Sequence, residues 1–330
     1  KLSVGRFSTA PQVIVRSIAH SIRSFCMNIN EKLITLETKT GNICGTMTFP
    51  GAGDKENIAL IISGSGPTDR DGNSRLVSGK NDCLKMLAAA LAEQGVASIR
   101  YDKRGESYSY SAAPNEIDLS IDRYVQDVVS WVSLLSNEYG YSDITIIGHS
   151  EGALIGMLAA QQCPVTRFIS IAGSSEKGSN ALRRQLNGKL PNELAKTSEH
   201  IISSLESGQT VDDVPQELNM LFRHSVQPYM ISWFRYAPTD ELSKLTIPCL
   251  ILQGDTDIQI TVNDSIALHH ANKQSELKIL SGMNHILKSV PPDFEQQIAS
   301  YSDPDIPIVS EVISVISSFL SHSKTDLTKN

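Results

Sequence analysis

The sequence predicts an α/β fold with a mostly parallel central sheet flanked by helices, and a helical cap inserted after the sixth parallel-type strand. Three observations lead there. Over two long stretches of the 330-residue chain, short β-branched runs alternate with segments whose apolar residues recur at helical spacing, which is the pattern of βαβ units. Between those stretches, residues 174–245 read as helix throughout. The composition, 40% hydrophobic and 20% charged, suits a packed globular core and excludes a disordered or fibrous chain.

In chain order, Leu33–Glu37 and Ile43–Phe49 alternate apolar and polar around Thr40-Gly41-Asn42 and read as a β-hairpin. Ile58–Ile62 is a continuous apolar run, as expected of a strand covered on both faces. Asp82–Glu93 has helical spacing through Leu84, Leu87, Ala88 and Leu91 and stops at Gly95. Val96–Tyr101 reads as a strand. Ile121–Leu135 places Tyr124, Val125, Val128, Val129, Val132 and Leu135 on one helical face. A strand at Asp143–Ile147, a helix at Ala153–Ala160 and a strand at Arg167–Ala172 follow. The rhythm breaks at Gly173, and Pro191 and Pro215 stand where helices would start. It resumes with a strand at Pro248–Gln253, a helix near Asn263–Asn272, a strand at Leu277–Leu280 and a helix at Val309–Leu320. The expected organisation is an arm or edge helix over 1–30, a core from 31–173 and 246–330, and the cap over 174–245.

The net charge of −7, with both signs interspersed, argues against a nucleic-acid-binding face. Apolar runs are too short for a membrane-spanning helix. The five cysteines form no C-x-x-C pair or Cys/His cluster, so no zinc site is expected. Three of them sit in apolar runs as buried thiols, which favours a reducing, cytoplasmic compartment. An exported or processed form stays open, because residues 1–30 carry Lys1, Arg6, Arg16 and Arg23, several serines and no acid.

The chemistry centres on Gly148-His149-Ser150-Glu151-Gly152, where a strand-like run meets a helix-like one. A serine at so sharp a turn needs flanking residues without side chains, and its hydroxyl then stands out over the sheet edge. A hydroxyl is a poor nucleophile until a base takes its proton, and the base needs an orienting carboxylate. Downstream, Gly254-Asp255-Thr256-Asp257 follows one strand and Gly282-Met283-Asn284-His285 follows another. Of the eight histidines, only His285 follows a late strand after an acidic loop. His149 is expected to point away from the nucleophile along the strand. Asp257 is preferred to Asp255 as the acid, since residues nearer the strand end usually hold the turn.

The run Gly64-Ser65-Gly66-Pro67-Thr68-Asp69-Arg70-Asp71-Gly72-Asn73 follows the third strand. It can supply one backbone N–H to an oxyanion, from Ser65 or Gly66, with the amide of Glu151 as the other. A dinucleotide fingerprint would need Gly where Asp69 stands. A calcium loop would need Gly and Glu at Ser74 and Lys80. The Glu151 carboxylate beside the nucleophile would oppose a developing oxyanion, so a cation, Arg70 or Arg104, is expected within about 6 Å of it.

Together these motifs resemble the α/β-hydrolase superfamily, and most of all bacterial serine carboxylesterases with a helical cap. The resemblance runs from about Leu33 to Leu320 and rests on GSGPTDRDGN, YDKRG (Tyr101–Gly105), GHSEG, LFRHSVQPYMISWFRY (Leu221–Tyr236), LQGDTDIQI (Leu252–Ile260) and GMNHILK (Gly282–Lys288). It implies a triad of Ser150, Asp257 and His285 with no metal and no organic cofactor. His224 stands where the cap stretch would carry proline. The expected activity is hydrolysis of a small-molecule carboxylic ester through an acyl-serine intermediate. Leu221, Phe222, Tyr229, Met230, Trp233, Phe234 and Tyr236 are expected to wall an apolar acyl pocket, some of them serving only to pack the insertion. A peptidase, an amidase and an acyl-thioesterase use the same triad, and a non-catalytic ligand-binding role is the remaining alternative. No nucleic-acid partner is expected, and a homo-oligomer stays open.

Overall fold

The computed structural model describes residues 29–51 and 57–321. Residues 1–28 of the expected arm lie outside the described residues, and Ile29 already opens the first strand. That strand, β1 (Ile29–Thr38), pairs antiparallel with β2 (Gly41–Pro50). Six further strands follow: β3 (Asn57–Ile62), β4 (Ala97–Tyr101), β5 (Asp143–His149), β6 (Arg167–Ile171), β7 (Cys249–Gly254) and β8 (Glu276–Leu280). They form one sheet in the order β1-β2-β4-β3-β5-β6-β7-β8. β2 is antiparallel to β4, and every pairing from β4 to β8 is parallel. The helical insertion therefore leaves after the sixth strand of the chain, but β1 and β2 are not parallel strands. The hairpin geometry, which needs no crossover, sets their direction.

The parallel strands read as unbroken apolar runs because both faces are covered. Along β3, Ile58, Leu60 and Ile62 enter one core layer while Ala59 and Ile61 enter the other. β7 divides the same way, Ile251 against Leu250 and Leu252, as period-2 side chains require. The second layer is closed by α1 (Cys83–Glu93) and the last helix, Ser310–Ser321. The first is closed by α2 (Ile121–Asn137) and α3 (Glu151–Ala160), with Leu268 of a later helix. Ser120 caps α2, accepting from the Arg123 amide at 3.2 Å. The buried face of α2 carries Val128, Trp131, Val132 and Leu135; each full burial of this kind contributes roughly 1.5–3 kcal/mol.

Between β6 and β7 stand α4 (Gly178–Leu186), α5 (Asn192–Glu206), α6 (Asn219–Phe222), α7 (Gln227–Phe234) and α8 (Pro238–Ser243). Pro191 and Pro215 immediately precede helical turns. The segment has an apolar cluster of its own, including Ile201, Ile202, Leu205, Phe222, Met230 and Phe234. It meets the sheet domain through Leu242, Tyr229 and Trp233 on the first core layer and through polar contacts: Glu116 with Arg223 and Ser225, Asp122 with Arg235 and Tyr236, and the Ile121 amide with Ser232 Oγ at 2.9 Å. After β7 come α9 (Val262–Ala271) and, past β8, α10 (Phe294–Ser300); the last helix is α11. The short α10 lies outside the helices expected from periodicity. No helix among the described residues is long and apolar enough to cross a membrane.

Candidate active site

β3 has β4 on one side and β5 on the other, so the loops leaving β3 and β5 flank the point where strand order reverses. Open parallel sheets hold their sites there. Ser150 is the single residue between β5 and α3. Its backbone is at φ 56°, ψ −120°, a region that costs a non-glycine residue on the order of 1–3 kcal/mol. The crowding that imposes the turn is visible at its neighbours. A Cβ on Gly148 would fall 2.3 Å from the Gly152 carbonyl oxygen, and one on Gly152 would fall 2.4 Å from the Ile62 carbonyl oxygen. The Ser150 amide donates to the Ile171 carbonyl at 2.9 Å, which fixes the turn to β6.

Asp257 and His285 come from the loops after β7 and β8. His285 Nδ1 lies 2.8 Å from Asp257 Oδ2, with side-chain exposures of 5% and 0%. The carboxylate also accepts from the Gln259 amide at 2.8 Å, the Ile260 amide at 3.0 Å and Gln253 Nε2 at 3.2 Å. Burial by itself would raise the Asp257 pKa. The facing imidazole and the two amides outweigh it and hold the carboxyl below its usual range. Asp255, the alternative acid, is used structurally: its Oδ1 accepts from the Gly282 amide at 2.7 Å and ties the two loops together.

His149 does not point away from the site, contrary to the expectation from sequence. Its ring centroid is 5.0 Å from that of His285, and its Nε2 is 2.8 Å from the His285 carbonyl oxygen. Since a carbonyl can only accept, Nε2 carries the proton. Burial, followed by the charge of His285, lowers the His149 pKa to about 4, so this ring is neutral at ordinary pH. Strand alternation held the signal. Ile147 and His149 project to the same side of β5, and Ile147 packs in the layer that contains Met283 and Ile286.

The loop after β3 approaches Ser150 closely enough that a Cβ on Gly64 would sit 3.2 Å from Ser150 Cβ. The amides of Ser65, Gly66 and Glu151 donate to no protein acceptor among the described residues. The loop curls on itself through Thr68, whose amide donates to the Gly66 carbonyl and whose hydroxyl donates to the Ser65 carbonyl, both at 2.8 Å.

Glu151 has a cationic partner, but it is neither Arg70 nor Arg104. Arg70 is engaged by Asp102 at 2.6 Å and Thr46 at 3.0 Å. Arg104 turns to the other side and pairs with Asp127 of α2. The partner is the residue just before Arg104 in the YDKRG run, Lys103, whose Nζ is 2.9 Å from Glu151 Oε2. Adjacent residues in an extended segment project oppositely; the run supplied two adjacent cations, and only the fold decides which faces Glu151.

The seven expected pocket residues separate. Phe222, Met230 and Phe234 are buried in the insertion's own cluster, and Leu221 is 39% exposed. Their place is set by packing α6 and α7 onto α5, which absorbs the apolar stripe. Tyr236 gives its hydroxyl to Asp122 at 2.5 Å. Tyr229 and Trp233 pack against both the insertion's cluster and the sheet's core layer, and the Tyr229 hydroxyl donates to Glu151 Oε1. A cleft of about 470 Å³ lies elsewhere, between α4 and α5, lined by Arg183, Leu186, Leu190 and Ile202 among others. It touches none of the loops carrying Ser150, Asp257 or His285.

A family model described as Hydrolase_4, serine aminopeptidase S33, matches residues 78–220. The chain is similar to Esterase EstD of Thermotoga maritima, 25% identical over 276 residues that make up 81% of this chain and 63% of that protein. It thus spans under two thirds of that relative's length. Among solved structures, Est1E from Butyrivibrio proteoclasticus with bound ferulic acid superposes with a TM-score of 0.58 at 17% identity, covering 90% of this chain and 100% of that one. The alpha/beta hydrolase GrgF from Penicillium sp. gives 0.59 at 18% identity over 88% and 98% of the two chains. XC6422 from Xanthomonas campestris, an a/b serine hydrolase without a lid, gives 0.51 at 15% identity over 88% and 93%.

Proposed function

We propose, from the premise that the chain has the α/β-hydrolase fold, that it is a serine hydrolase cleaving carboxylic esters through an acyl-serine intermediate. The observation that carries the reading is the strained Ser150 turn whose preceding residue, His149, has its ring 5.0 Å from that of a His285 held by Asp257 at 2.8 Å. A strained serine flanked by glycines, on the same sheet edge as an oriented imidazole, is costly to maintain for packing alone.

In the reaction, Ser150 Oγ attacks the ester carbonyl carbon as its proton passes to His285 Nε2. Asp257, ionised and holding Nδ1–H, fixes the tautomer and stabilises the imidazolium. Negative charge moves to the former carbonyl oxygen, where the amides of Glu151 and of Ser65 or Gly66 are free to receive it. When the tetrahedral adduct collapses, the C–O bond to the alcohol breaks and His285 returns the proton to the leaving oxygen. Water then attacks the acyl-serine as His285 takes its proton; the second tetrahedral adduct collapses, the acyl C–Oγ bond breaks, and His285 returns the proton to Ser150 Oγ as the acid leaves.

The supporting relative is named an esterase. Hydrolysis of short p-nitrophenyl esters is expected, and Ser150→Ala should lower kcat by about 10⁶-fold and abolish labelling by a fluorophosphonate probe. Turnover undiminished in that variant would overturn the reading. The description of the matching family model as a serine aminopeptidase favours a second reading, amide hydrolysis by the same machinery. Matched p-nitrophenyl ester, p-nitroanilide and thioester substrates separate the reactions by their kcat/KM ratios.

A further inference from the structure

Lys103 is buried at 1% exposure, and its ammonium has two polar contacts. Nζ donates to the Gly64 carbonyl oxygen at 2.5 Å and to Glu151 Oε2 at 2.9 Å. It also stands 5.2 Å from the centroid of the Tyr124 ring, whose face favours a cation. The opposite oxygen of Glu151 accepts the Tyr229 hydroxyl from α7. A buried ammonium so fully engaged is rigid, and its pairing with a carboxylate explains why it can be buried.

The Gly64 carbonyl and the Ser65 N–H belong to one peptide unit. That unit is planar and trans, with no cis peptide bond among the described residues, so its C=O and N–H point in opposite directions. Gripping the carbonyl therefore fixes the direction of the N–H. The same loop passes within contact distance of Ser150, and Ser65 N–H has no acceptor among the described residues. Gly64, without a side chain, offers little resistance to peptide rotation, so an external clamp has something to do.

We infer that Lys103 is a positioning residue for the oxyanion hole: it holds the Gly64–Ser65 peptide so that Ser65 N–H is aimed at the oxyanion, with Glu151 and Tyr229 holding the lysine in turn. This rests on the acyl-serine reading above. It selects Ser65 over Gly66 as the donor, and it links the seating of α7 to the hole through Tyr229. The clamp acts on the charge that appears in the transition state, so it belongs in kcat rather than in KM.

The test measures kcat and KM on a short p-nitrophenyl ester, and the affinity of an alkyl trifluoromethyl ketone, whose Ser150 adduct carries the oxyanion. Wild type, Lys103→Met and Lys103→Met/Glu151→Gln are compared, with thermal unfolding and near-ultraviolet circular dichroism reporting the fold. The double variant removes the ion pair whole and leaves no lone buried charge, so it carries the test if the single variant does not fold. Expected are a kcat lower by about 10²–10³-fold in both variants, the loss measured for a missing oxyanion donor, with KM within about threefold and the ketone weakened in proportion to kcat. Recovery of kcat to near wild type in the double variant would mean that Lys103 only neutralises Glu151, and the inference would be wrong. Loss confined to KM would overturn it equally. A wild-type protein that turns over no ester defeats the functional reading instead, so the two failures are distinguishable.

Discussion

At the edge of the sheet that carries Ser150, backbone meets backbone. Hypothetical Cβ atoms on Gly148, Gly152 and Gly254 would lie 2.3, 2.4 and 1.9 Å from carbonyl oxygens of Gly152, Ile62 and Met283. The α4–α8 segment touches the sheet domain through side chains instead: Leu242, Tyr229 and Trp233 pack on its core layer, and carboxylates at Glu116 and Asp122 meet Arg223, Ser225, Arg235 and Tyr236 at a partly exposed seam. Backbone contacts of the first kind admit one arrangement, because no rotamer change relieves a clash. Side-chain ion pairs that are partly exposed are individually weak and screened by salt. The Ser150 edge should therefore behave as a fixed frame, and the Glu116 and Asp122 seam as the part of the α4–α8 contact that loosens first.

The largest expected effect lies within the frame. Asp257→Asn keeps the shape of the acid but presents an amide that can turn its N–H₂ toward His285 and favour the wrong tautomer. The expected loss in kcat is on the order of 10⁴, the size known for this change in trypsin-like enzymes, with the fold intact by circular dichroism. A drop below tenfold would mean that His285 is held by other contacts, such as that between its own carbonyl and His149. The frame would then owe less to the carboxylate than its hydrogen bonds suggest.

The frame was also the more legible region in sequence. Gly148, Ser150 and Gly152 announce a turn because the requirement is local: small residues where chain crosses chain. Asp257 and His285 were readable from their place after late strands, since parallel sheets gather such loops at one edge. Lys103 and His149 were not, and for the same reason. Each acts through a contact with a distant loop, at Gly64 and at His285; strand alternation gives the side on which His149 lies, but not the partner it meets there. The α7 aromatics misled in a related way. A stripe of Phe222, Met230 and Phe234 looks the same whether it lines a pocket or closes a small core, and here α5 claims it.

His149 sharpens the comparison at an intermediate magnitude. Its folded pKa of about 4 lies below the ordinary 6.5, so as pH falls the unfolded chain takes the proton first. Stability from this group is intact above about pH 6.5, declines below it, and is fully lost near pH 4. By pH 5 the cost is about 2 kcal/mol. His149→Gln keeps an N–H donor and removes the titration. Urea unfolding at pH 7 and pH 5 should show wild type losing about 2 kcal/mol more than the variant between them. Equal losses in the two proteins would show that acid weakens the frame through other groups.

The smallest effect is expected where α4–α8 joins the sheet domain. Burial raises the Glu116 pKa, but hydrogen bonds from Arg223 and Ser225 and the arginine's charge prevail and lower it overall. The contribution is therefore present at neutral pH and fades as pH falls through the depressed value. With side-chain exposures of 41% for Arg223 and 32% for Glu116, solvent screens the pair, and Glu116→Gln should cost about 1 kcal/mol or less. The informative readout is local. Hydrogen exchange should quicken across α6 and α7 while the amides of β5 and α3 keep their wild-type rates, and 1 M salt should reproduce the pattern in the unmutated protein. Quickening at the Ser150 turn of the same size would mean that the two regions open as one, and the contrast between frame and insertion would not stand.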